Sequence, residues 1–292
     1  MKPIMKRRAA QSLLGCAVAV FALAASAQAT LSPSSASPAG DDDGKPMPSI
    51  EELQKLKQNP VSGLKQILFQ ANVNPNYPDS GKTQGIYSLQ AVWPFSLNDD
   101  YRLVTYTILP QYHVPAQAGE SAINGLGDTL INLFVSPKKK DGALTWGAGP
   151  TILLPTRGDA ALGSNRVALG PAALLYYEAE KWNAGLVLQN GWSLGNASGI
   201  NKVNAFGAQY LFSYNLPDGW SIYSNATIAS DWTKDQNERW TVPLGGGVGK
   251  LFYVGKLPIS ISLQGFYNVV APTGGPNWSM NFQLAFLFAA PQ

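Results

Sequence analysis

The stretch Trp278-Ser279-Met280-Asn281-Phe282-Gln283-Leu284-Ala285-Phe286-Leu287-Phe288 decides the fold. Its even positions are all large and apolar, whereas Ser279, Asn281, Gln283 and Ala285 between them are small or polar. A period of two marks a strand. In water, a strand that is apolar along one whole face would invite aggregation. In lipid that face matches its solvent, and closing the sheet into a barrel satisfies the backbone. A tilted strand needs about 9–11 residues to cross a bilayer.

The same pattern recurs upstream and predicts about twelve strands. They fall at 64–73, 84–95, 101–110, 125–136, 144–154, 167–178, 182–193, 203–214, 220–230, 239–253, 258–269 and 278–288. Tyr87, Leu89, Ala91 and Trp93 oppose Ser88, Gln90 and Val92; Ile259, Ile261 and Leu263 oppose Ser260, Ser262 and Gln264. Over 101–110 both assignments of faces fit. The connections alternate in length. The outer set is 74–83, 111–124, 155–166, 194–202, 231–238 and 270–277; the inner set is 96–100, 137–142, Glu180-Lys181, 215–219 and 254–257. Every outer loop is longer than every inner turn, as in a membrane barrel with both chain ends on the inner side. The fold expected is therefore all-β, a transmembrane antiparallel up-and-down barrel of about twelve strands with a short N-terminal periplasmic helix. A soluble secreted β-protein is the alternative, and it would not demand that alternation. Trp182 and Trp220 fall at inner strand ends, and Trp192, Trp232 and Trp278 at or near outer ends, which suits two headgroup-level belts.

Ahead of the barrel the chain changes character. Lys2, Lys6, Arg7 and Arg8 precede an apolar run from Leu13 to Leu23 and a small-x-small site, Ala27-Gln28-Ala29. Residues 1–29 read as a signal peptide, with cleavage after Ala29 or Ala27. Leu13-Leu14-Gly15-Cys16 resembles a lipoprotein box, but the apolar run continues past it. Without Cys16 the mature chain has no cysteine, so no disulfide or thiol chemistry. Residues 30–48, with Asp41-Asp42-Asp43 among Ser, Pro and Ala, read as a disordered linker. Ser49-x-x-Glu52 is a capping box, followed by Leu53 and Leu56 at helical spacing with Ile50. Residues 49–63 thus form a short helix, either a plug or docking element or a frayed periplasmic helix; 64–292 is the barrel.

Apolar residues make up 45% of the chain and charged residues 13%, against about 25% in soluble domains. Losing the four leader cations leaves 17 basic against 18 acidic residues, so the basic pI carries no message about nucleic acid. Charges inside strands are few, and on a lipid face near the midplane each would cost about 2–4 kcal/mol. Arg102, Asp128 and Lys250 are therefore expected on the lumen wall or at a rim. With them, Ser88, Gln90, Asn132, Gln189, Gln209, Ser260, Gln264, Asn281 and Gln283 are the pore-lining candidates. Gly245-Gly246-Gly247-Val248-Gly249 lacks the Lys-Ser/Thr and helix of a phosphate loop, and reads as close packing or a bend in a strand.

Catalysis has little to draw on. His113, the one histidine, lies in the second outer loop; Glu120 and Ser121 are near only in sequence. One histidine and no cysteine make a metal site improbable, and neither a metal nor another cofactor is expected.

Longer motifs carry a family resemblance. They include Phe69-Gln70-Ala71-Asn72, Pro94-Phe95-Ser96-Leu97-Asn98-Asp99-Asp100, Gly125-Leu126-Gly127-Asp128, Gln189-Asn190-Gly191-Trp192-Ser193, Trp240-Thr241-Val242-Pro243-Leu244-Gly245-Gly246-Gly247-Val248-Gly249-Lys250 and Tyr267-Asn268-Val269-Val270. Together they resemble the bacterial outer-membrane family named for the meta-cleavage pathway of phenol degradation. Its members are often labelled transporters, and some bear the name neuromedin U. The resemblance implies a location in the outer membrane of a Gram-negative bacterium and a passive channel for small organic, including aromatic or hydrophobic, solutes. The expected partners are outer-membrane lipid, those solutes and, through the strand ending at Phe288, the barrel-assembly machinery. A departure from the family is the tail 289–292 beyond that aromatic. A non-conducting structural or surface barrel is the second reading, and an outer-membrane hydrolase the third.

Overall fold

The computed structural model describes residues 47–77, 81–117, 121–139, 142–195 and 202–288. The leader, nearly all of the linker and the tail 289–292 lie outside these residues.

One helix, α1 (Ile50–Gln58), precedes thirteen strands: β1 (Lys65–Asn74), β2 (Gln84–Ser96), β3 (Tyr101–Val114), β4 (Ile123–Leu126), β5 (Thr129–Pro137), β6 (Leu144–Leu154), β7 (Ala168–Glu178), β8 (Trp182–Ser193), β9 (Asn204–Asn215), β10 (Trp220–Asp231), β11 (Trp240–Val254), β12 (Leu257–Val270) and β13 (Trp278–Phe288). Neighbours pair antiparallel in sequence order, and β1 pairs with both β2 and β13, which closes the barrel. Closure pairs each of the twelve long strands on both sides, as lipid demands, and the short β4 pairs with β3 alone.

The fourth predicted strand is present but broken. β3 runs on to Val114, so its upper half pairs with β4 and its lower half with β5. From Ile108↔Leu130 to Gln111↔Leu126, three steps along β3 face four on the other side, which is a bulge at Gly127-Asp128. Gly127 is required there, because a Cβ would lie 2.3 Å from the Tyr112 ring. Thr156 secures the jog: its Oγ1 donates to the Gly127 carbonyl at 2.8 Å and meets Thr129 Oγ1 at 2.7 Å. β4 and β5 thus form one wall of a twelve-walled barrel.

Side chains alternate as predicted. In β13, Trp278, Met280 and Phe288 are exposed outward, while Asn281, Ala285 and Leu287 are buried inside. The outward face bears two aromatic bands. Tyr177 packs on Trp182 (5.3 Å) at the end carrying both chain termini; Tyr267 on Trp278 (4.8 Å) and Trp232 on Trp240 (5.4 Å) lie at the opposite, loop end. Rings that are apolar with one polar edge suit the headgroup level.

The lumen is not lined by small and polar residues alone. Its terminal half carries a large apolar cluster beside polar groups: Leu68, Val92, Val104, Phe134, Leu174, Tyr176, Val187, Leu251 and Leu287 are buried together. This is why the faces of 101–110 were ambiguous. Val104 and Tyr106 point into that cluster while Tyr101 and Leu103 face outward, so both faces of β3 are apolar.

The cluster exists because the N-terminal segment is inside it. Ser49 caps α1, its Oγ accepting from Glu52 N–H at 3.1 Å. Leu53, Val61 and Leu64 are almost completely buried among the wall residues. The polar side of α1 is tied to the barrel by two glutamines. Gln54 Nε2 donates to the Trp220 carbonyl and to Ser221 Oγ, both at 2.9 Å. Gln58 Nε2 donates to Asn215 Oδ1 at 2.8 Å, and its Oε1 accepts from Ser213 Oγ at 2.7 Å and from Asn183 Nδ2. Tyr253 reaches the Pro48 carbonyl at 2.7 Å. α1 is therefore packed inside the terminal mouth rather than frayed outside it.

Candidate functional site

Above the plug lies a cavity of about 360 Å³. Its wall runs from Tyr106 and Val187, which also belong to or pack on the apolar cluster, up to Lys234, Glu238, Pro272 and Pro276 in the loops. Every wall of the barrel except the lowest strand ends contributes to it, because the inward parity of each strand delivers a side chain at this level.

A girdle of neutral amides surrounds the cavity floor. Gln90 Nε2 donates to Gln70 Oε1 at 2.8 Å, and Tyr106 OH donates to Gln90 Oε1 at 2.6 Å. Asn132 Nδ2 reaches Gln189 Oε1 across the lumen at 2.7 Å, and Asn281 Nδ2 reaches Asn72 Oδ1 at 2.8 Å. These amide pairs carry no net charge, so the cavity floor presents donors and acceptors but little field.

The structure sorts the sequence-predicted residues into four groups. Gln90, Asp128, Asn132, Gln189, Gln209 and Asn281 line the cavity. Ser88, Gln264 and Gln283 face inward behind that surface: Ser88 Oγ accepts from Gln90 Nε2, Gln264 Oε1 from Asn225 N–H, and Gln283 Nε2 donates to Gln70. Arg102 and Ser260 point inward at the plugged end. A Cβ on Gly63 would lie 2.8 Å from an Arg102 guanidinium nitrogen, and Ser260 sits beside Leu251 and Ala285. Lys250 is not in the lumen. It shares the outward parity of Val248, and its ammonium lies 5.0 Å from the centre of the outward Trp220 ring. Lys65 does the same over Trp93 at 4.9 Å. Both cations sit at the terminal rim of the lipid face, where a long stem lets the charge reach the headgroups.

Asp128, delivered inward by the bulge, holds a loop. Its Oδ2 accepts from Ser164 N–H at 2.6 Å and Ser164 Oγ at 2.9 Å. A Cβ on Gly163 would meet this carboxylate at 2.4 Å, so only glycine fits. The adjacent Leu162 is buried with Tyr77, Ile86, Tyr112 and Val114. The connection between β6 and β7 therefore folds inward over the cavity and narrows it. Sequence reading put Asp128 on the lumen wall but could not see its partner 36 positions away.

Two other loops are joined at the rim. Glu238 accepts from Thr273 N–H at 2.7 Å and from Thr273 Oγ1 at 2.6 Å. These bonds hold its carboxyl below the ordinary Glu value. A depressed acid contributes its link above the ordinary pKa and loses it as pH falls through the lowered one. Backbone exchange across 270–277 should therefore be slow at neutral pH and accelerate on acidification below the usual carboxylate range. Glu238→Gln should exchange fast at both; equal rates for the two proteins at neutral pH would show that the link contributes nothing.

His113 lies on the upper part of β3, not in a loop, and its Nδ1 is 2.7 Å from Asn124 Oδ1. Among the described residues no group of three His, Cys, Asp or Glu side chains could hold a metal.

A closed barrel with two aromatic bands, an outward apolar face and an inward polar chamber defines a transmembrane barrel of the outer-membrane type. A family model described as "Putative MetA-pathway of phenol degradation" matches residues 78–284, and the chain belongs to that family. Among solved structures it resembles an outer membrane channel from Pseudomonas putida F1, with a TM-score of 0.58 and 20% identity over 77% of this chain and 94% of that one. The NanC porin aligns with a TM-score of 0.47 and 10% identity, over 77% of this chain and 100% of its own. Outer membrane phospholipase A from Escherichia coli aligns at 0.44 and 13%, over 82% and 96%. No curated protein sequence matches the chain.

Proposed function

We propose that this barrel is a passive outer-membrane channel, not an enzyme, for small uncharged organic solutes, including aromatic ones. The cavity carries the reading: it extends up among the loops, its floor is walled by neutral amides, hydroxyls and apolar groups, and the charged side chains above, Asp128, Asp231, Lys234, Glu238 and Arg239, are of both signs and nearly balance. Such a wall favours neither cations nor anions, and passive diffusion requires no cofactor. On this reading the loop end faces outside and the plugged end faces the periplasm. The leader, residues 1–29, exports the chain, and the strand ending at Phe288 is what the assembly machinery reads. Refolded protein in liposomes should admit small neutral solutes with weak ion selectivity. A barrel that admits none, with or without the plug, would overturn the reading.

Orientation has its own test. Asn237→Cys at the loop end should label on intact cells with a membrane-impermeant maleimide, whereas Lys256→Cys in the β11–β12 turn should not. Both positions are exposed. The reverse pattern would invert the topology.

The packed plug favours one second reading, a structural barrel that never conducts. In that case removing α1 would create a pore absent from the intact protein.

A further inference from the structure

A solute in the cavity meets α1 below it and the barrel wall beside it. β10 and β11 pair from Trp220↔Lys250 to Tyr223↔Gly247, and again at Ala229↔Thr241 and Ser230↔Trp240. Between these stretches, Ser224 to Ile228 face Val242 to Gly246 without a ladder pair. The interruptions in β5–β6 and β7–β8 span only two residues of each strand.

The cause is legible. Pro243 has no N–H to offer, and β11 shifts register against β12 between Val242 and Pro243. The glycine run then presses β11 onto β12. A Cβ on Gly245 would lie 2.0 Å from the Gly265 carbonyl oxygen, and one on Gly247 1.9 Å from that of Leu263.

Released backbone groups in hydrocarbon must find other partners. Here side chains supply them. Tyr210 OH, from β9, donates to the Pro243 carbonyl at 3.0 Å; Ser224 Oγ donates to the Gly245 carbonyl at 2.5 Å; Gln264 Oε1 accepts from Asn225 N–H at 3.1 Å. Because these bonds come from side chains, the ladder can lapse here without leaving those groups bare. Residues on both sides of the gap, Asn225, Ala226 and Thr227 on β10 and Thr241 and Pro243 on β11, line the cavity. On the outer face Tyr210 stands opposite Ala226 and reaches across to β11.

We propose that the β10–β11 seam is a lateral portal, covered by Tyr210, through which small apolar aromatic solutes pass from the cavity into the bilayer. This rests on the channel reading and names its substrate class and exit. The plug can then remain seated during transport.

The test uses cells that express the full chain with Cys16→Ser, and N-phenylnaphthylamine, an apolar aromatic that fluoresces on entering hydrocarbon. Ala226→Cys with Leu244→Cys places two thiols opposite each other across the gap. Oxidised, this variant should lose the fluorescence rise that wild type gives over cells lacking the barrel, and a reductant should restore it. Tyr210→Ala should speed the rise. Hydrogen exchange on the unmodified barrel gives a readout free of folding effects: the amides of Thr227 and Gly245, which face the seam, should exchange ahead of those of Tyr223 and Gly247. Equal protection, or wild-type uptake by the oxidised variant, overturns the portal and leaves the channel reading standing. No uptake of any solute by wild type overturns both.

Discussion

Deleting residues 47–63 should turn the barrel into a steadily conducting pore, with single-channel conductance well above that of the intact chain. Leu53 and Val61 fill the terminal mouth, and Gln54 and Gln58 tie α1 to β8, β9 and β10. Without them, the apolar wall around Val104, Phe134 and Leu251 faces water at about 25 cal/mol per Å². The wall glutamine partners, Ser221, Asn215 and Asn183, become hydrated instead of orphaned. The backbone ladder does not depend on α1, so the barrel should remain heat-modifiable on gels. Two milder variants grade the effect. Leu53→Ala removes a fully buried side chain and should weaken the seat by about 2–5 kcal/mol. Gln58→Ala removes hydrogen bonds worth about 0.5–1.5 kcal/mol each. Both should show brief openings between those of the intact and deleted forms. Identical conductance with and without 47–63 would mean the plug is no barrier to ions.

Leu263→Arg should cost about 2–4 kcal/mol of barrel stability in a bilayer, whereas Val254→Arg should cost about 0–1 kcal/mol. Both side chains are half exposed on the outer face, Leu263 at 48% and Val254 at 55%. They differ in depth: Leu263 pairs with Val248 in the middle of the wall, and Val254 ends β11 at the terminal rim. In a water-soluble barrel an exposed leucine could become arginine at almost no cost. The comparison therefore measures what solvates the outer face. Urea titration in lipid vesicles, followed by tryptophan fluorescence, reads it directly. Equal midpoints for the two variants would remove lipid from the account.

Much of the barrel was legible because lipid and lumen impose opposite demands on alternate residues. β12 and β13 show this most clearly: Ile261 and Leu263 exposed, Ser260, Ser262 and Gln264 buried, in the predicted phase. The phase failed to be informative in β3, where the inner face packs on the plug and is as apolar as the outer one. Lys250 misled for a related reason. Its alternation with Gly249 and Leu251 gives no hint that the outward ring of Trp220, thirty positions earlier, is there to hold the ammonium at the headgroup level.

Sequence alone determined the number of walls, their order, and which connections are long, since these follow from local periodicity and turn composition. It also contained the capping box that starts α1. Tertiary structure decided where α1 goes, that Asp128 draws the β6–β7 loop inward, and that the β10–β11 ladder lapses around Pro243. Each of these depends on partners far apart in the chain: Gln54 with Ser221, Asp128 with Ser164, Tyr210 with Pro243. A periodic pattern reports which face a residue occupies. It carries no record of what stands across the lumen, and that is set only when the closed barrel brings distant strands to the same height.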